Sequence, residues 1–313
     1  MNLRILVIGA GALGGYFGAR LIAAGRDVTF LVRPKRAEAL AKNGLSVKSV
    51  FGDLHLSSPP TVTADKLTKP FDLILLSCKA FDLDGAIESF APAVGDDTVI
   101  IPLLNGMRHL DILNVRFGER KVFGGQCAIS ATLSADGHIE HLVELHTLSF
   151  GEQNGAASEH REAIVKALSD ANFVAQASDS ILHEMWEKWV FIATVAGATC
   201  LLRASIGDTV TAAASDVVMK LLDECIGIAT KQGYKPRGPY IERMRSLFTM
   251  PGSPLTASML RDIERGAPTE GDHILGDLLE RNGGDVATPL LRTAYAHVKS
   301  YEARHAREAV AAR

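Results

Sequence analysis

The chain has 313 residues, 47% of them hydrophobic and 22% charged, with 33 basic against 36 acidic side chains for a net charge of -3. A polypeptide of this size buries roughly three quarters of its unfolded surface, so it is long enough for two domains, and its composition excludes disorder and fibre. The charge balance excludes nucleic acid and anionic membrane as partners, because both demand a positive surplus; small neutral or anionic ligands remain.

The first element is residues 3–8 (LRILVI), a continuous apolar strand, followed by a helix over residues 14–24 and a second strand over residues 27–32 (DVTFLV). Residues 3–13 are too short and too rich in glycine to span a bilayer, so neither a transmembrane helix nor a signal peptide is expected. Between the first strand and the helix stands Gly9-Ala10-Gly11-Ala12-Leu13-Gly14. In that context the glycine pattern is a dinucleotide fingerprint: Gly9 for the tight turn, Gly11 for the approach of a pyrophosphate, Gly14 for packing helix on strand. The second strand ends in Arg33-Pro34-Lys35-Arg36, where an NAD-binding chain would carry an acid for the ribose hydroxyls. Three cations there favour a 2′-phosphate, with Arg33 as its fork, so NADP is the expected cofactor; a solvated basic turn is the bland alternative.

Further buried strands are expected over residues 73–77 and 98–103, completing a doubly wound parallel sheet of Rossmann type. Lys79 and Asn105 follow these two strands at the carboxyl edge, where ligands bind in open α/β sheets. Taken singly, each also reads as a surface lysine or a turn-forming asparagine. Residues 122–133 and 138–150 alternate around Asp136-Gly137 as a hairpin added at the edge of the sheet. His138, His141 and His146 lie in it at spacings of three and five, which gather no ligands on one face, so no metal is expected. The four cysteines, Cys78, Cys127, Cys200 and Cys225, are unpaired in spacing and read as reduced thiols of a cytoplasmic protein.

Beyond about residue 178 the strand signals stop, dividing the chain into a dinucleotide-binding domain over residues 1–178 and a helical domain over residues 179–313. The active site is expected in the cleft between them. Within the apolar run 181–202 stands Lys188, beside Trp189, Val190 and Phe191. Such a lysine either faces a cleft with a lowered pKa or snorkels from an amphipathic helix. Residues 208–232 read as one helix with Val210, Ala214, Val217, Leu221, Cys225 and Ile228 on its buried face and Gly233 as its stop. After the break at residues 250–254 (MPGSP), two more helices are expected around residues 270–280 and 289–303, with Ser258 and Thr269 as caps and Asp262 and Glu270 as nearby carboxylates. Helical second domains often pair through exposed apolar faces, so a homodimer is the candidate assembly, but the sequence does not fix the oligomeric state.

These segments, GAGALGG, the basic turn, SCKA, LLNGM, WEKWVF, SMLRDIERGAPTEGDHILGDLL and TPLLRTAY, resemble the ketopantoate reductase (2-dehydropantoate 2-reductase) family along the whole chain. The resemblance implies NADPH-dependent reduction of a 2-oxo acid to a 2-hydroxy acid, ketopantoate to pantoate, in pantothenate biosynthesis. It implies that Lys188 is the catalytic acid and Glu270 its partner, that Ser258 binds substrate twelve positions before Glu270, and that Lys79 and Asn105 face cofactor and substrate. Three asparagines common in the family are Ile192, Ala196 and Ile206 here, which predicts a more apolar pocket and poor activity on ketopantoate. Arg203 is the candidate replacement anchor for a carboxylate. Fifteen residues beyond Lys188, it would point within about 60° of the same face if the helix ran unbroken through Gly197. A reductase for another apolar carbonyl compound and a non-enzymatic NADP sensor are the rival readings; the presence of both Lys188 and Glu270 speaks against the sensor.

Overall fold

The computed structural model describes residues 3–311. Residues up to Leu104 together with His109–Leu182 make one compact unit; Asn105–Arg108 and the residues from His183 onward make the other. The division after Leu182 lies close to the change of character read near residue 178, but Asn105, Gly106, Met107 and Arg108 belong to the helical unit.

In the first unit, β1 (Arg4–Ile8), α1 (Ala12–Ala23), β2 (Asp27–Leu31), α2 (Pro34–Asn43), β3 (Leu45–Lys48), β4 (Leu54–Leu56), β5 (Thr61–Val62), β6 (Phe71–Leu76), α3 (Leu83–Phe90) and β7 (Val94–Pro102) come in this order. Five of these strands form a parallel sheet in the order β5-β2-β1-β6-β7. β1 is therefore central, with the chain winding outward in both directions, which is the Rossmann-type switch point. Its residues Ile5, Leu6 and Val7 are fully buried, as continuous apolar strands covered on both faces must be.

The unit continues with α4 (Arg108–Phe117), whose first residue lies in the helical unit, then β8 (Gly124–Leu133), β9 (Ile139–Gly151), α5 (Glu159–Leu168) and β10 (Val174–Ala177). The hairpin turns at Asp136-Gly137, where Gly137 adopts φ +84°. It is not added to the edge of the parallel sheet. β9 instead organises a second, mixed sheet, β10-β9-β3-β4 with β8 on β9, and Val122, two residues before β8, meets β7 of the first sheet through an isolated bridge to Ile100. The physical reason lies in α1, which packs on both sheets. Its glycines bring the backbone close on two sides: a methyl group at Gly18 would fall 2.4 Å from Phe30, and one at Gly15 would fall 2.4 Å from Ile139. One buried cluster, including Phe17, Phe30, Ile139 and Phe150, runs through both sheets.

The helical unit contains α6 (Ile181–Leu202), whose first two residues lie in the first unit, α7 (Ile206–Thr211), α8 (Ser215–Lys231), α9 (Gly238–Phe248), α10 (Ser258–Glu264), α11 (Asp277–Asn282) and α12 (Pro289–Ala311). α6 has the length and apolarity to cross a membrane, yet 72% of its most apolar 18 residues is buried in the protein, as in a core helix. Gly197 does not interrupt it; a methyl group there would lie 2.8 Å from Leu221, so glycine lets α8 approach. The single helix expected over residues 208–232 is two, because Ala213 turns into the left-handed region at φ +55°. α8 accordingly buries Val218, Leu221, Leu222, Cys225 and Ile228, a stripe shifted from the one read off the sequence.

Candidate active site

In the first unit the site is built around the glycine turn. β1 ends at Ile8 and α1 begins at Ala12, and Gly9 makes the reversal at φ +89°. Its amide donates to the Leu31 carbonyl at 2.9 Å, which fastens the turn to the end of β2. A methyl group at Gly14 would sit 2.2 Å from Ser77 Oγ and 2.3 Å from the Gly9 carbonyl oxygen, whereas one at Gly11 would meet nothing within 4 Å. The inner side of the turn is therefore closed and its outer side open. Gly11, Ala12 and Leu13 are partly exposed, and α1 lacks a side-chain cap, so its first amides and dipole are left for an anion. This cradle fits a dinucleotide pyrophosphate.

The basic turn after β2 divides its labour. Arg36 donates through Nε and Nη2 to the Ala10 carbonyl at 3.2 and 2.9 Å, bracing the glycine turn from below. Arg33 occupies the N-cap position of α2 with its side chain 81% exposed, and its Nη2 donates to Asp82 Oδ1 at 2.6 Å. An acid absent from the end of β2 is thus supplied from the loop after β6, just beyond the exposed Lys79.

In the helical unit, Lys188 is half-buried in the middle of α6 between Glu187 and Trp189, both buried. Glu187 is structural: its carboxylate accepts from the Arg237 amide at 2.8 Å and from the Arg237 guanidinium, a pairing that raises the Arg237 pKa. Trp189 Nε1 donates to the Ile274 carbonyl at 2.9 Å, tying α6 to the turn just after Glu270. That turn is a π-helical segment, Asp272–Gly276, a geometry often met at functional sites. Glu270 is only 7% exposed; Thr269 Oγ1 accepts from the Gly271 amide at 3.1 Å, a local turn ahead of the helix, which has no side-chain cap, so Thr269 is not the cap expected.

His273 is the member of this group that the sequence did not signal. It is 6% exposed and its ring bonds to the backbone of Asn105, while a methyl group at Gly106 would lie 2.9 Å from its carbonyl oxygen. Burial lowers its pKa below the ordinary histidine value, against the pull of the Glu270 and Asp277 carboxylates, with Arg108 adding to the lowering. Arg108 is held in turn by Asp277 at 3.6 Å and by Glu280. The structure thereby gathers Asn105, His273 and Glu270 into one cluster.

Other expectations fare differently. Arg203 lies one residue past the end of α6 with φ +53°, exposed to solvent. At 1.5 Å per residue the helix end is about 21 Å along the axis from Lys188, and the left-handed turn takes Arg203 off the helix face that the two were expected to share, so Arg203 does not join its site. Ser258 is exposed at the first turn of α10, beside Ala257, whose amide donates to Thr199 Oγ1 three turns along α6 from Lys188; it is not a helix cap, since Ala257 holds that position. Ala196 and Ile206 are buried in the core and line no surface; Ile192, one turn from Lys188, is partly exposed. His141 and His146 do meet, because residues 142–145 bulge opposite Ser130 and cancel the odd spacing. Their rings stack at 5.8 Å, with Ser49 and Tyr16 on their Nδ1 atoms. Among the described residues no three metal-ligating side chains converge. Burial pushes the Cys200 and Cys225 thiols up to about 12, so neither is an activated nucleophile.

Comparison with known proteins places this architecture. The family model described as ketopantoate reductase PanE/ApbA matches residues 5–155, and its C-terminal counterpart matches residues 180–302. A Bacillus subtilis protein named uncharacterized oxidoreductase YkpB is 39% identical over 305 residues, 96% of this chain and 99% of that one. A 2-dehydropantoate 2-reductase of Archaeoglobus fulgidus is 30% identical, covering 89% of this chain and 90% of its own. The crystal structure of 2-dehydropantoate 2-reductase from Geobacter metallireducens GS-15 superposes with a TM-score of 0.86 at 28% identity, over 95% and 99% of the two chains. With both of its halves matched, the chain belongs to the ketopantoate reductase family of oxidoreductases, which act on CH–OH groups with a nicotinamide dinucleotide.

Proposed function

We propose that this protein reduces a 2-oxo acid to the 2-hydroxy acid with NADPH, and that it favours substrates with an apolar substituent over ketopantoate. The observation that carries the reading is the middle of α6. It presents Lys188 half-buried, one turn from Ile192, on a helix bonded through Trp189 to the turn just after buried Glu270.

The turn of Gly9, Gly11, Ala12, Leu13 and Gly14 would hold the pyrophosphate, Arg33 the 2′-phosphate, and Lys79 and Asn105 the remainder of the dinucleotide and the substrate edge. When bound, the reduced nicotinamide supplies a hydride to the ketone carbon. Lys188 donates a proton from Nζ to the ketone oxygen and offsets the negative charge developing there. Glu270 orients the lysine or a substrate hydroxyl, and Asn105 with Ser258 binds the carboxylate. His273 fixes the backbone of Asn105. Arg203 has no part in this arrangement.

Ketopantoate itself is the second reading, supported by the naming of the Archaeoglobus relative. Against it stands Ile192 in place of an amide; losing one hydrogen bond to a charged group weakens binding by about 1.5–3 kcal/mol. Steady-state kinetics with ketopantoate and with 2-oxo acids bearing branched or aromatic substituents separates the two. The expected result is kcat/KM on ketopantoate below about 10⁴ M⁻¹s⁻¹, with at least one apolar acid above it. Ketopantoate as the best substrate in the panel would restore the second reading.

A further inference from the structure

We propose that Asp82 is a cofactor-discriminating residue, which competes with the 2′-phosphate of NADPH for Arg33 and accepts the ribose hydroxyls of NADH. The inference rests on the reading of the glycine turn as a dinucleotide site.

The sheet order places β2 and β6 on either side of β1, so the loops after those two strands flank the glycine turn at the end of β1. Arg33 comes from one loop and Asp82 from the other, 49 residues apart in sequence, and they bond at 2.6 Å. Arg36 is committed to the Ala10 carbonyl, which leaves Arg33 as the guanidinium at the edge where the adenosine ribose of a dinucleotide lies in this fold. The pair is open to a ligand: the Arg33 side chain is 81% exposed and that of Asp82 36%.

A 2′-phosphate reaching Arg33 finds one arm of the fork already on a carboxylate. It must either displace Asp82 or sit beside a like charge, and both cost affinity. A 2′-hydroxyl meets no such conflict, since it is a donor and Asp82 is an acceptor. One carboxylate therefore moves the two cofactors in opposite directions. Arg33 favours NADPH and Asp82 restrains that preference, leaving a protein that binds both dinucleotides with a modest bias.

The experiment is calorimetric titration of wild type, Asp82→Asn and Asp82→Ala with NADPH and with NADH, at fixed ionic strength. Asp82 is at the surface, so both variants should fold, which circular dichroism checks. Wild type should bind NADPH about tenfold more tightly than NADH. Both substitutions should tighten NADPH and weaken NADH, moving the ratio by about tenfold further toward NADPH. A ratio that stays within twofold of wild type, or moves toward NADH, overturns the role of Asp82 while leaving the dinucleotide site intact. Wild type that binds neither cofactor overturns the dinucleotide reading and this inference with it.

Discussion

The two units arrange their candidate functional groups by opposite means. In the first, a single contiguous stretch from β1 through α1 supplies the turn, the open face and the helix N-terminus, and local sequence dictates the geometry. In the second, Asn105, Lys188, Glu270 and His273 come from three widely separated places in the chain, and long-range bonds such as Trp189 to Ile274 arrange them. A local motif takes its geometry from its own neighbours in sequence. A cluster assembled at long range depends on the packing of every element that contributes to it.

Breaking each half separately tests that contrast. The largest effect is expected from Lys188→Ala, which should lower kcat by about 10²–10⁴ while leaving the NADPH dissociation constant within twofold, measured by steady-state kinetics beside calorimetry. Near-normal turnover would remove Lys188 as the acid and leave Lys79 as the candidate. The mirror experiment is Gly14→Ala. A methyl group 2.2 Å from Ser77 Oγ and 2.3 Å from the Gly9 carbonyl forces the turn apart. NADPH binding should weaken by at least about tenfold, roughly 1.4 kcal/mol, with the helical unit unaffected.

Legibility in the sequence divides along the same line. The glycine turn, the buried strands β1, β2, β6 and β7, and the helical second half could be read because each rests on periodicity or on neighbours within one turn. The second sheet could not, since β3, β4 and β10 span only four, three and four residues and owe their existence to pairing with distant partners. Asp82 escaped notice because nothing local to either residue announces a bond over 49 positions. Ala213 lies in a run of three alanines that looks helical yet adopts φ +55°, which sets the α7–α8 boundary. The spacing of His141 and His146 misled because a bulge changes the two-residue period of a strand. His273 carried no local signal, because its burial and its bond to the backbone of Asn105 arise only from packing.

Smaller effects sharpen the picture of the assembled half. Trp189→Phe keeps the ring but strips the Ile274 carbonyl of its buried donor, and should cost about 1–3 kcal/mol in urea unfolding. Its activity loss should exceed that of a similarly destabilising change in the first unit. The smallest effect concerns acid. His273, His146 and His297 all have pKa values lowered from 6.5 by burial first. A lowered folded pKa means the unfolded chain binds protons more readily, so these histidines contribute stability that is present above about pH 6.5 and lost as pH falls through their folded values. Melting temperature should therefore drop on acidification below about pH 6.5, and His273→Gln should flatten part of that slope, the remainder belonging to His146 and His297. A wild-type curve already flat across this range would show that the burial of these rings carries no linkage.

The proposed function has this family member turn over a 2-oxo acid, with α6 as the platform of the chemistry. Its most direct test is to incubate the protein with NADPH and a panel of 2-oxo acids and to quantify 2-hydroxy acid against NADPH consumed. One equivalent of hydroxy acid per NADPH for at least one member, abolished in Lys188→Ala, is the predicted result. Tight binding of NADPH with no hydroxy acid formed from any member of the panel would contradict it.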